Sequence, residues 1–150
     1  MHLTSFTDYT LRVLLYLGGR AKDDRLATIG DIAFAYRISE NHLRKVVHHL
    51  AKGGYIKTTR GKGGGMALAH LPEEINLGEV VRGAEEGRGL VDCTPEGEPP
   101  CVILPACNLP RILAKAMHAF FAELDKHTLA DAVHSPERLA KILFTPSARK

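Results

Sequence analysis

Apolar positions recur with a helical period from the start of the chain. Phe6, Val13, Leu14 and Leu17, with Thr10 among them, fall on one stripe, and Gly18-Gly19 then interrupts it. Leu11 and Leu15 lie off that stripe, so this first helix has a second face to bury, against another segment or another subunit. A short second helix is predicted to start at Leu26-Ala27-Thr28, with Thr28 as cap, Asp31 completing a capping box, and Ile29, Ile32, Ala33 and Tyr36 facing inward. A third follows Arg37-Ile38. Ser39 is placed to cap it, Leu43, Val46, Val47 and Leu50 form its apolar face, and Gly53-Gly54 ends it. Two short helices joined by a tight turn have the proportions of a helix-turn-helix.

The pattern then changes from helical to extended. Tyr55-Ile56-Lys57-Thr58-Thr59 and Met66-Ala67-Leu68-Ala69 read as strands around Arg60-Gly61-Lys62-Gly63-Gly64-Gly65, whose glycines supply the positive φ angles a tight turn needs. A helix-turn-helix followed by such a hairpin is a winged helix. After Pro72 a brief helix is expected from about Asn76 to Glu85, with Leu77, Val80, Val81 and Ala84 apolar. From Glu86 to Pro110 the chain turns rich in Gly, Pro and acids, too long for a structureless loop unless something functional organises it. Past it, Asn108 is placed to cap a long helix with Pro110 in its first turn. Leu109, Leu113, Ala116, Met117, Phe120 and Leu124 form its stripe, and Ile112, Ala119 and Phe121 widen it. A helix that apolar needs more partners than one small chain offers, which marks it as a dimerisation helix. A short helix is expected within Thr128 to Phe144, and Thr145 to Lys150 read as a frayed tail.

The expected fold class is mainly α with a small β-hairpin wing. Its parts are a winged helix-turn-helix domain over 1-72, a connecting helix over 73-90, a cysteine loop over 91-107, and a dimerisation helix with a C-terminal helix over 108-144. A length of 150 residues suits one core-forming domain with a helical appendage and leaves no room for the larger cofactor-binding enzyme folds. No apolar stretch is long enough to cross a bilayer and Met1 to Asp8 does not resemble an export signal, so the expected location is the cytoplasm.

Charge becomes informative once divided. Residues 1-70 hold 11 Lys/Arg against 5 Asp/Glu, a balance of +6, while residues 71-150 hold 9 against 12, a balance of −3. The first part has the charge of a polyanion binder. Asn41, Arg44, Lys45, His48 and Lys52 lie at helical spacing opposite the apolar face of the third helix. Asn can pair with adenine, Arg with guanine, and Lys neutralises phosphates. Taken alone that face is as consistent with a merely solvated basic surface. The Gly-rich tip with Arg60 and Lys62, placed to reach a minor groove or the backbone, tips the reading to duplex DNA. Thr28 and Ser39 at the two helix starts, and His42, complete the set of DNA-binding candidates, while His49 packs or faces solvent.

Cys93, Cys101 and Cys107 fall within fifteen positions of one another. An odd thiol cluster in a reducing compartment points to metal or redox sensing rather than a structural disulfide. A fully protein-bound cluster or zinc site needs a fourth ligand from elsewhere. The helix dipole after Cys107 favours thiolate, and prolines at 95, 99, 100 and 105 stiffen the loop. A reversible disulfide, a zinc knot and inert buried thiols remain alternatives on spacing alone. Asp8 and Arg12 read as a surface ion pair. No Ser/His/Asp constellation, phosphate-binding loop or paired carboxylate stands out, and no histidine base lies near Cys107 in the sequence, so catalysis is not expected.

Several segments together resemble the bacterial Rrf2 family of winged-helix regulators, specifically its nitric-oxide-sensing branch. They are Leu3-Thr4-Ser5-Phe6-Thr7-Asp8-Tyr9, Asn41-His42, Arg60-Gly61-Lys62-Gly63-Gly64-Gly65, Val91-Asp92-Cys93, Pro105-Ala106-Cys107 and Leu124-Asp125-x-x-Thr128-Leu129-Ala130-Asp131. The resemblance implies a homodimer whose long helices pack together, binding a two-fold symmetric operator as a repressor. It implies an iron-sulfur cluster, of the 4Fe-4S or else the 2Fe-2S type, held by Cys93, Cys101 and Cys107. It also implies that Asp8 of the partner subunit supplies the fourth ligand, with Arg12 beside it. Nitric oxide would then release Asp8, shift the first helix, alter the spacing of the recognition helices and derepress nitrosative-stress genes. In the iron-sulfur-biogenesis branch, kept as an alternative, a His three residues after the last Cys completes the site; here that position is Pro110, which disfavours it. A cluster-free thiol-redox regulator is the other alternative.

Overall fold

The computed structural model describes residues 2-20, 25-85, 91 and 101-144. Helix α1 (Ser5–Gly18) begins at Thr4, whose side chain accepts from the Thr7 N–H at 3.2 Å. Val13 and Leu14 on its inner face are fully buried, with Tyr16 and Leu17 nearly so. Helix α2 (Ile29–Tyr36) starts with the expected capping box, Thr28 and Asp31 each bonding the other's backbone N–H. The segment ahead of it is extended rather than helical: Ala27 exchanges two backbone hydrogen bonds with Met66, at 3.0 and 2.7 Å. That pairing anchors the wing to the helix-turn-helix.

Helix α2 ends where the Ile38 N–H reaches back to Ala33 O at 3.1 Å, a six-residue closure. The residue inside that closure, Arg37, takes the left-handed conformation with φ 56° and ψ 43°. An L side chain there costs about 1–2 kcal/mol relative to glycine. Helix α3 (Glu40–Lys52) buries Leu43, Val46, Val47 and Leu50 as the period predicts. Ser39 stands at its N-cap position, but its hydroxyl makes no capping bond, which corrects that expectation. Its backbone is extended as a cap requires, with φ −62° and ψ 132°, but the residue is exposed and its side chain makes no bond to the first-turn amides.

Strands β1 (Ile56–Thr59) and β2 (Gly65–Leu68) pair antiparallel, Ile56 opposite Leu68 and Thr59 opposite Gly65. The turn between them uses positive φ at Gly61 and Gly63. Gly65 has a different reason to be small: a Cβ there would sit 2.6 Å from Ala27 O. After a 3-10 turn at Pro72–Glu74, helix α4 (Leu77–Ala84) is capped by Asn76, whose Oδ1 accepts from Glu79 N–H at 3.1 Å. Its buried Val80 and Val81 close the core beneath α1.

Helix α5 (Leu109–Leu124) follows a 3-10 turn at Leu104–Ala106. Asn108 does not cap it, contrary to the sequence expectation: its backbone is helical, with φ −94° and ψ −3°, so its amide is not aimed at the first-turn N–H groups. The Cys107 sulfur instead accepts from Leu109 N–H at 3.4 Å. Within the chain α5 packs on α4, where Arg82 bonds both Asp125 oxygens at 2.9 Å and lies over the Phe121 ring at 4.7 Å. No residue of α5 is buried, and Leu109 and Ile112 are 46% and 56% exposed. The tail forms two helices rather than one, α6 (Leu129–Ala132) and α7 (Pro136–Phe144). Helix α6 joins the core through fully buried Leu129, whose N–H bonds Ile75 O at 2.8 Å. In α7, Phe144 meets Tyr16 edge to face at 4.9 Å. Among the described residues no helix is long and apolar enough to cross a membrane. The expected frayed tail, Thr145 to Lys150, lies outside the described residues.

Candidate nucleic-acid interface and metal centre

Packing Leu43, Val46, Val47 and Leu50 inward leaves the opposite face of α3 to water, and Asn41, Arg44, Lys45, His48 and Lys52 are all exposed there. Arg44 is held in part by Glu40, at 3.3 Å, an exposed pair. Such pairs contribute about 0.3–0.5 kcal/mol, little enough for a phosphate to displace. Arg60 and Lys62 are likewise exposed at the tip of the wing. Thr28 is exposed, but its hydroxyl oxygen already accepts from Asp31 N–H at 3.1 Å. Asp31 is held below the usual carboxylate range: burial opposes its charge, and the Thr28 hydrogen bonds, with Arg25 and Arg20 near, outweigh that.

Two histidines of α3, the candidate His42 and also His49, are tied to α1. His42 stacks on Tyr9, ring centroids 6.1 Å apart, and His49 meets Phe6 edge to face at 5.2 Å, so His49 packs. A cleft of about 280 Å³ lies between the helices, lined by Ser5, Phe6, Tyr9, His42, Lys45 and Val46. The N-terminal turn of α1 is tied in turn to the end of α4. Glu85 Oε1 accepts from the Thr4 N–H at 2.8 Å and from the hydroxyl of fully buried Thr7 at 2.5 Å. Nothing in the local pattern around Glu85 announced this link.

Asp8 and Arg12 form the expected i,i+4 pair, Arg12 Nε bonding both carboxylate oxygens at 3.0 Å. The bond to Asp8 raises the Arg12 pKa above its ordinary value. Arg12 also lies 5.7 Å from the Tyr36 ring centroid. Of the three candidate thiols, Cys101 and Cys107 are free and half-buried, and Cys93 lies outside the described residues. Between Cys101 and Cys107 the backbone coils through bonds from Leu104 N–H to Cys101 O, Ala106 N–H to Ile103 O and Cys107 N–H to Leu104 O. Both thiols thus flank one tight segment at the foot of α5. Among the described residues no three His, Cys, Asp or Glu side chains come together as a metal site. The donor chemistry nevertheless fits an iron-sulfur group: two unpaired soft sulfurs, one of them receiving a backbone N–H at a helix N-terminus.

A capped helix-turn-helix with a basic exposed recognition helix and a glycine-tipped hairpin defines a winged-helix DNA-binding protein. Comparison with known proteins agrees. The family model for Rrf2, described as an iron-dependent transcriptional regulator, matches residues 3–135. The regulator NsrR of Bacillus subtilis strain 168 is 46% identical over 143 residues, covering 95% of this chain and 97% of that one. NsrR of Geobacillus kaustophilus is also 46% identical, with the same coverage. Among solved structures, IscR of T. potens superposes with a TM-score of 0.70 over all of this chain and 94% of that one, at 21% identity, a likeness of fold. The chain belongs to the Rrf2 family of transcriptional regulators. The family read from the motifs and the winged-helix fold class both hold.

Proposed function

We propose that this regulator is a homodimeric repressor that senses nitric oxide through an iron-sulfur cluster held by Cys93, Cys101 and Cys107. Asp8 of the partner subunit is the fourth ligand in this reading. The observation that carries it is the pair of free thiols at the foot of α5, Cys107 already hydrogen-bonded by Leu109 N–H, in a chain similar to proteins named NsrR. When bound, the cluster supplies iron with which nitric oxide can react; a 4Fe-4S type is the reading, with 2Fe-2S as its variant.

The chain's own residues do the rest. Asp8 has two alternative partners, the cluster site of the other subunit and Arg12 of its own helix, the pairing seen at 3.0 Å. Exchange between them moves charge at the exposed side of α1. Because Phe6 and Tyr9 of α1 touch His49 and His42 of α3, a shift of α1 reorients the recognition helix. The uncovered apolar face of α5 supplies the dimer contact. Two recognition helices on a two-fold axis must match half-sites about 34–36 Å apart, so a small reorientation prevents simultaneous docking. Asn41, His42, Arg44, Lys45, His48 and Lys52, with Thr28, Ser39, Arg60 and Lys62, form the DNA face.

The test is anaerobic absorption spectroscopy during nitric oxide titration, with DNA binding measured on the same sample. The expected result is a brown protein containing iron and sulfide whose DNA affinity falls as the spectrum bleaches, and an Asp8→Leu variant with altered nitric oxide response. Oxygen-free protein that lacks iron and binds DNA equally well overturns the reading. A colourless protein whose affinity follows dithiothreitol replaces it with a thiol switch.

A further inference from the structure

Among the described residues, positive φ occurs at four positions. Three are glycines, Gly54, Gly61 and Gly63, and the fourth is Arg37. Glycine is the residue that adopts this conformation freely, and the closure at the end of α2 is the kind of helix terminus that usually uses it. An arginine there keeps a strained backbone and exposes a long cation. Its guanidinium makes no hydrogen bond, ion pair or aromatic contact among the described residues. The acid nearest in sequence, Glu40, is bonded to Arg44 instead. The closure bond to Ala33 O holds the backbone in place, but no contact of the Arg37 side chain within the described fold offsets the strain.

Position says what can. Arg37 sits in the turn of the helix-turn-helix, two residues before Ser39 and the start of α3. In this motif the first turns of the recognition helix enter the major groove, so the turn that precedes them approaches the flanking phosphate backbone. The first turns of α3 also present Asn41, Arg44 and Lys45 to solvent, and a helix N-terminus itself favours an anion. Strained conformations persist where function uses them.

We propose that Arg37 is a phosphate-binding residue of the DNA interface, its left-handed backbone aiming the guanidinium at a duplex phosphate beside the recognition helix. The inference rests on the DNA-binding reading and extends it to a residue outside the basic face of α3 and the wing. It concerns backbone phosphate, so any duplex shows it. The probe is a fluorescently labelled 30-base-pair duplex of mixed sequence, titrated with the full-length protein at several salt concentrations, alongside thermal unfolding.

Arg37→Gly is expected to raise the unfolding midpoint, since glycine relieves the strain. It should weaken binding about tenfold at low salt and flatten the slope of log affinity against log salt by roughly 0.9 per lost phosphate contact. Arg37→Lys should keep most of the slope. Arg37→Gly with unchanged affinity and slope overturns the proposal, as does Arg37→Lys losing as much as Arg37→Gly. Lys62→Ala separates this from failure of the parent reading. If wild-type binding responds to salt and Lys62→Ala flattens it while Arg37→Gly does not, only the Arg37 assignment falls. If wild-type protein shows no salt-dependent binding, the DNA reading falls with it.

Discussion

Replacing Glu85 by Ala removes the clasp between the end of α4 and the start of α1. Its Oε1 accepts from Thr4 N–H and from the Thr7 hydroxyl, and Thr7 is fully buried. A hydrogen bond to a charged group contributes about 1.5–3 kcal/mol, and because both bonds fall on one partly exposed oxygen they do not add in full, giving about 2–3 kcal/mol in total. The carboxylate also lies against the N-terminus of α1, where a negative charge is favoured. For a chain of this length that corresponds to a fall in unfolding midpoint of about 4–12 °C. Circular dichroism melts at one fixed protein concentration measure it, since assembly would otherwise move the midpoint. Glu85 makes a further contact besides these two. A double-mutant cycle with Thr7→Val isolates the pair, and a coupling of about 1 kcal/mol or more is expected. Glu85→Gln keeps an acceptor without the charge and should recover about half the loss. A Glu85→Ala protein within about 0.5 kcal/mol of wild type, or a cycle with no coupling, refutes the clasp.

Three further outcomes follow from packing and burial. Gly65→Ala would press a methyl group into Ala27 O and should cost about 1–3 kcal/mol in urea unfolding. Gly83→Ala, on a helical site with open space around it, should stabilise by about 0.5–1 kcal/mol, and equal effects at the two sites would contradict the packing account. Burial pushes the Tyr36 phenol from 10.0 up to about 12, with Arg12 opposing. The folded chain therefore keeps its proton longest. Stability from this group is fully present below pH 10 and is lost between about 10 and 12, amounting to about 1–1.5 kcal/mol once its partial exposure is discounted. Alkaline melts of Tyr36→Phe should lack that component; an identical profile to wild type refutes it.

What could be read from the sequence was what local chemistry dictates. The apolar stripes of α1 and α3, the Thr28–Asp31 capping box and the glycine-tipped wing each depend on neighbours within a few residues. The excess apolar surface of α5 was legible too, because it exceeds what one chain covers. Caps were legible only as residue types: Ser39 and Asn108 stand at the right positions, yet one hydroxyl faces water and one backbone is already helical. Pairings across long separations left no local trace. Ala27 with Met66, Arg82 with Asp125 and Glu85 with Thr7 depend on which surfaces meet, and periodicity is blind to that. Arg37 was hidden for another reason, since arginine carries no turn signal. Of the candidate site, the basic face of α3 was visible as spacing. The thiols were visible only as a count, because the order around Cys101 and Cys107 comes from backbone bonds within the loop.

Contacts from three other helices converge on α1. Its first turn carries Asp8 and is clasped by Glu85, which precedes Cys93 by eight residues in the sequence. The same turn lays Phe6 and Tyr9 against the histidines of the recognition helix. One contact is stacked and the other edge to face, and both geometries carry direction as well as attraction. Farther along, Tyr16 packs on Phe144 of the C-terminal helix, fixing the far end of the rod. On the proposed reading, a rod held at its far end and clasped near its start would turn a small displacement at Asp8 into a tilt at His42 and His49. On the proposed reading, the loop that gathers the thiols and the helix that reads DNA communicate through this one element. On that reading, weakening the Glu85 clasp should change DNA affinity as well as stability, whereas Gly65→Ala, in the wing beside its turn, should leave the response to nitric oxide intact.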